Sequence, residues 1–105
     1  MTHTVEINAI WGPENVNDGA PASYEQGGVN HPIVPVVQGY WTSFIRCFDP
    51  NTHRVPGTPV WDAWTRDNDF VRLKFETNAT RMESVPSDQQ ARCAYLASIG
   101  VSLRQ

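Results

Sequence analysis

The sequence predicts an incomplete α/β unit: one long helix, one clear strand and one shorter helix, with too few strands to close a sheet. Three patterns predict it. Ile33, Val36, Val37, Tyr40, Trp41, Phe44, Ile45 and Phe48 fall at offsets 0, 3, 4, 7, 8, 11, 12 and 15, which is one face of an α-helix. Val71, Leu73, Phe75 and Thr77 alternate with Arg72, Lys74 and Glu76, as a half-buried strand does. Ser87 and Gln90 stand in capping-box relation just past Pro86 and open a helix through Ala91, Cys93, Ala94, Tyr95 and Leu96.

Residues 3–12 form a short apolar piece with Val5, Ile7, Ala9, Ile10 and Trp11, closed by the turn signal Gly12-Pro13. Residues 13–32 read as a loop, broken by Asp18-Gly19, Gly27-Gly28 and Pro32. A loop of this length is uncommon in a small domain and implies further chain packed around it. The long helix is expected over residues 35–48. Pro35 suits its first turn, where a missing N–H costs least, and Asp49-Pro50-Asn51 stops it. Gly39 within it costs about 1 kcal/mol against alanine, so a close neighbour is expected there. Residues 49–60 are a proline-rich loop. The strand is expected near residues 70–77 and the last helix over 87–99, with Gly100 at its end. A lone strand leaves a row of open hydrogen-bonding groups. Either weaker strands lie in the first piece or the sheet belongs to sequence outside the chain.

Eight basic and eleven acidic residues give a net charge of −3, which argues against a nucleic-acid partner. No apolar stretch approaches the roughly 20 residues of a membrane span, so no membrane partner is expected. Met1-Thr2-His3-Thr4-Val5-Glu6 has neither the basic nor the apolar region of a signal peptide. Cys47 and Cys93 lack C-x-x-C spacing and read as free, buried cysteines on helices.

His3, His31 and His53 are far apart, without acidic or cysteine partners at ligand spacing, so no zinc site or other cofactor is implied. No G-x-S-x-G nucleophile elbow exists. Leu96-Ala97-Ser98-Ile99-Gly100 lacks the first glycine, and Ser98 reads as a helix-surface residue. Trp41 lies on the apolar helix face and is expected in the core. Trp61 and Trp64 read as anchors that pin a proline loop rather than as a sugar platform. Asn78-Ala79-Thr80 is a formal N-glycosylation acceptor that matters only in the secretory pathway.

Three separated segments carry a resemblance. His3-Thr4-Val5-Glu6-Ile7-Asn8-Ala9-Ile10-Trp11-Gly12 resembles the H-x-x-E…(F/W)-G stretch around the catalytic histidine of type-B carboxylesterases and cholinesterases. Tyr40-Trp41-Thr42-Ser43-Phe44, with Asp49-Pro50-Asn51, resembles their Y-W-x-x-F…(D/N)-P-N segment. Arg81-Met82-Glu83, with Gln90-Ala91-Arg92-Cys93-Ala94-Tyr95-Leu96, is similar to the C-terminal helix of the fungal members.

The resemblance implies that residues 1–105 are the C-terminal part of a type-B carboxylesterase domain. The fold would be a partial α/β-hydrolase, with an edge strand flanked by helices. In that family the chain order is serine, acid, histidine. A segment beginning at the histidine therefore lacks the nucleophile, the triad acid and the oxyanion hole. His3 would be the general base, taking the serine proton and returning it to the leaving alcohol. Glu6 would match a buried, structural glutamate. Cys93 would have its disulfide partner upstream of the histidine and be free here. The implied partners are a small-molecule carboxylic ester and a complementing N-terminal hydrolase chain. Members are often secreted. The competing expectation is a non-catalytic remnant or interaction module that keeps the helix–strand–helix core.

Overall fold

Helix α2 spans Ile33–Cys47 in the computed structural model, which describes residues 5–17 and 19–100. Pro35 sits in its first turn, as expected. The helix ends at Phe48, which turns left-handed (φ 55°) and donates its N–H to the Phe44 carbonyl at 2.8 Å. The stop therefore comes one residue before Asp49-Pro50. Gly39 is where a neighbour comes close: a Cβ there would lie 3.3 Å from both Val55 Cγ2 and Val55 N. That approach accounts for a glycine inside the helix.

The apolar face of α2 is covered over only part of its length. Ile33, Val37, Tyr40 and Ser43 are buried, and Tyr40 and Ser43 are wholly inaccessible. Phe44, Ile45 and Phe48 are 55, 71 and 85% exposed. At about 100° per residue, Phe44 lies angularly between Ile33 and Val37. Its exposure thus marks where cover stops along the axis, not a rotation of the helix. Trp41, expected in the core, is 37% exposed and lies at this boundary.

The first piece is helical. Helix α1 (Val5–Trp11) packs on α2, bringing Ala9 against Ile33 and Val37, with Ile10, Tyr24, Val36 and Phe75 around them. The alternative that a weaker strand lies here is overturned. A short apolar run has no decisive period of its own, and the face offered by α2 decides it. The loop that follows is closely folded: a Cβ on Gly28 would lie 2.4 Å from the Ala22 and Ser23 carbonyl oxygens, so only glycine fits.

The expected strand of 70–77 contracts to β1 (Arg72–Lys74), and its partner is β2 (Arg81–Glu83). The pair is antiparallel, with Arg72 opposite Glu83, Leu73 opposite Met82 and Lys74 opposite Arg81. Leu73 is buried, while Arg72 meets Glu83 at 2.8 Å across the pair. Residues 81–83, read as belonging with the last helix, are therefore strand. The ladder stops because residues 76–79 turn, with Asn78 at φ 60°.

Helix α3 (Ser87–Gly100) has the expected extent but buries no residue. It starts at Ser87 itself, and Gln90 reaches back to the Val85 carbonyl at 2.7 Å. Cys47 and Cys93 are free, but both are exposed, contrary to the buried reading. Each sits on a helical stretch that nothing described covers. The chain exposes 7816 Å², against about 5900 Å² for a compact protein of 11.8 kDa. Its radius of gyration is 16.2 Å, against about 13 Å for a compact domain of this length. Both excesses are those of a segment whose apolar faces lack their cover.

Candidate functional site

His3 lies outside the described residues, two positions before α1. The described surroundings are those of α1 itself. Asn8 and Ala9 face inward, and the Asn8 Oδ1 is buried without a partner among the described residues. Glu6 is exposed, which corrects the expectation of a buried structural glutamate. It borders an open cleft of about 410 Å³ shared with Ala9, Tyr24, Val37 and Phe75. The face of α1 that α2 covers holds Asn8 and Ala9, which leaves Glu6 at the rim.

The Y-W-x-x-F…D-P-N segment has a physical role that its residue types do not announce. Buried Ser43 donates to the Asp49 carbonyl at 2.6 Å and accepts the His53 N–H at 2.9 Å. Asn51 pairs twice with the backbone of Trp61, accepting its N–H at 2.6 Å and donating to its carbonyl at 3.0 Å. Tyr40 donates to the Pro59 carbonyl at 2.5 Å. Arg54 closes the middle of the loop on the Thr58 and Asn51 carbonyls, at 3.2 and 3.0 Å. These bonds supply partners for backbone groups that a proline-rich loop cannot pair within itself. The motif residues are thus positioning residues for the loop, and they hold it against α2.

Asp49 begins this loop, and its carboxylate accepts the Asn51 N–H at 2.8 Å and the Thr52 hydroxyl at 3.2 Å. The backbone bond from Asn51 is the main influence holding its pKa below the ordinary carboxylate value. In the β1–β2 turn, Glu76 is lowered likewise, chiefly by Arg81 at 2.6 Å and then by Lys74 at 3.1 Å.

Trp61 serves as the expected anchor. Its ring lies 5.6 Å from both Tyr40 and Phe75, edge to face in each case. Trp64 is 57% exposed and touches Phe70. Between Tyr40, Trp41, Phe44, Pro50 and Trp61 opens a cleft of about 430 Å³, walled almost wholly by apolar groups. Its one hydroxyl, on Tyr40, is bound to the Pro59 carbonyl, so it offers shape and burial rather than reaction chemistry. Sequence periodicity placed Tyr40, Trp41 and Phe44 on one face. That this face stays open depends on tertiary cover, which no local pattern encodes.

The remaining candidates do not converge. His31 pairs through Nδ1 with the Tyr24 carbonyl at 3.0 Å, and His53 is exposed. Ser98 is on the surface of α3 and donates to the Tyr95 carbonyl at 2.6 Å, as its sequence context predicts. Among the described residues, no three His, Cys, Asp or Glu side chains cluster as metal ligands would. No helix among them is long and apolar enough to cross a membrane.

No protein-family model matches the chain. It is 30% identical over 84 residues to secreted lipase 4 of Gibberella zeae, a match covering 79% of this chain and 13% of that protein. Its fold superposes on the crystal structure of Aspergillus niger EstA with a TM-score of 0.77 and 36% identity, over 94% of this chain and 18% of EstA. The chain thus spans less than a fifth of either relative. The likeness to EstA establishes the expected architecture: this is part of an α/β-hydrolase fold.

Proposed function

We propose that this chain, a segment of a fungal esterase or lipase, is the C-terminal part of a secreted type-B carboxylesterase and supplies its catalytic histidine. The observation that carries the reading is the unfinished face of α2. Phe44, Ile45 and Phe48 stand exposed on a chain that aligns over 94% of its length with a fraction of a larger hydrolase. Such a face is built to be covered by the remainder of that enzyme.

In the complete protein, His3 takes the proton of a serine hydroxyl supplied by the remainder, as the serine attacks a small carboxylic ester. It then returns the proton to the leaving alcohol. Imidazole suits both steps because it titrates near neutrality. The loop of residues 49–61 is stitched to α2, and α2 packs against α1, the helix that begins two positions after His3 in the sequence. The chain alone lacks the nucleophile and oxyanion hole and has no independent esterase activity.

The test exchanges the matching segment of Aspergillus niger EstA for this chain and measures hydrolysis of p-nitrophenyl butyrate. The chimera is expected to turn over, and His3→Ala to lower its kcat by roughly 10⁴–10⁶-fold with unchanged circular dichroism. A folded, active chimera indifferent to His3→Ala overturns the role of His3. A folded but inactive chimera with His3 intact favours the non-catalytic remnant instead.

A further inference from the structure

We infer that Asn78 is an N-glycan acceptor of the secreted protein, an assignment that rests on the secreted-esterase reading above. Asn78-Ala79-Thr80 is the only N-x-S/T triplet in the 105 residues, and its middle residue is not proline. The triplet occupies the turn between β1 and β2. The Ala79 N–H donates to the Glu76 carbonyl at 3.0 Å, and Asn78 takes φ 60° as third residue of the turn. Thr80 Oγ1 closes the turn by donating to the Glu76 carbonyl at 3.0 Å. Asn78 is exposed, and its side chain makes no hydrogen bond to any described residue. A glycan attached there displaces no side-chain hydrogen bond among the described residues.

The position also suits the assembly. The turn borders Pro32, Ile33 and Val36, at the start of α2. The exposed Phe44 and Phe48 lie toward the other end of that helix, about 20 Å away at 1.5 Å per residue. The turn therefore lies at the end of α2 remote from its exposed Phe44 and Phe48.

In the transfer, the Asn78 Nδ2 forms a bond to the anomeric carbon of an oligosaccharide. The carbon–oxygen bond to its polyprenyl diphosphate carrier breaks, the lipid diphosphate leaves, and the amide nitrogen gives up one proton. The secretory pathway supplies that lipid-linked donor.

The test expresses the full chain in yeast behind a secretion leader, with an added C-terminal Asn-Gly-Thr tag as internal control. Glycan occupancy is read by endoglycosidase H and peptide mass in retained and secreted material alike, so poor folding does not hide it. One sugar remnant on the Asn78 peptide is expected, lost in Asn78→Asp and Thr80→Ala and kept in Thr80→Ser. An unmodified Asn78 beside a modified tag overturns the assignment, as does a remnant on that peptide that persists in Asn78→Asp. The readout involves no ester hydrolysis, so its failure leaves the test of His3 untouched.

Discussion

Helices α2 and α3 are nearly equal in length, 15 and 14 residues, yet they live in different surroundings. The first half of α2 is enclosed by α1, by the stitched loop of residues 49–61 and by Phe75. Helix α3 buries nothing, leaving Tyr95 and Leu96 65 and 61% exposed. Its side-chain ties to the rest, among the described residues, are the Arg72–Gln89 bond at 3.0 Å and the reach of Gln90 to the Val85 carbonyl. Helices of this length are marginal in water without tertiary packing. The difference teaches that the chain contains one self-supporting unit, around Tyr40, and two surfaces that depend on chain beyond it. One of those surfaces is the second half of α2 itself. Phe48 makes the point, since it is 85% exposed and holds a left-handed conformation that L-residues resist. A phenylalanine in that place is best explained by burial in the complete hydrolase.

The largest effect expected is on the self-supporting unit. Tyr40→Ala removes a wholly buried ring and its bond to Pro59, at a cost of about 3–5 kcal/mol. That loss erases the contrast between the helices. Amide hydrogen exchange across α2 should then run as fast as across α3. Persistent protection of α2 in this variant would contradict the role assigned to Tyr40.

A smaller effect sharpens the contrast within α2. Phe48→Gly relieves the left-handed strain and should stabilise α2 of the isolated chain by about 1 kcal/mol, seen as slower exchange in its last turn. In the EstA chimera the same change should lower thermal stability, because the ring is needed there. A gain in both settings would show that Phe48 meets nothing in the complete fold.

The smallest effect concerns the loop that gives α2 its cover. The folded-state pKa of Asp49 is depressed, so its contribution is present above the ordinary carboxylate pKa of about 4 and lost as pH falls through the folded value. Exchange in residues 49–61 should be insensitive to protonation of Asp49 between pH 7 and 5, then accelerate below about pH 4, once the intrinsic pH dependence of exchange is removed. Asp49→Asn should abolish that acid step. Loosening already between pH 7 and 5 would assign it to another group. Glu76 titrates in the same direction but sits in the β1–β2 turn, so the readout must be local to the loop.

Much of α2 was legible because a long apolar face, an early proline and a tolerated glycine all say the same thing. The alternation around Leu73 likewise located β1. Strand β2 was hidden: Arg81–Glu83 is three residues, two of them charged, and only pairing defines it. Helix α1 was hidden because seven residues give too little periodicity to separate helix from strand. The burial expected of Cys47, Cys93 and Trp41 failed for one shared reason. Residue type predicts burial in a finished core, and this core is unfinished. The catalytic candidate His3 was legible through resemblance alone, and it falls among the residues the structure does not describe.

The dependence of this chain on a larger hydrolase is tested most directly by sedimentation of the isolated chain with a dye that binds exposed apolar surface. The account predicts self-association and strong dye binding, both suppressed when the same segment is carried in the EstA chimera. A monomer that binds no dye and melts in one sharp transition would contradict it.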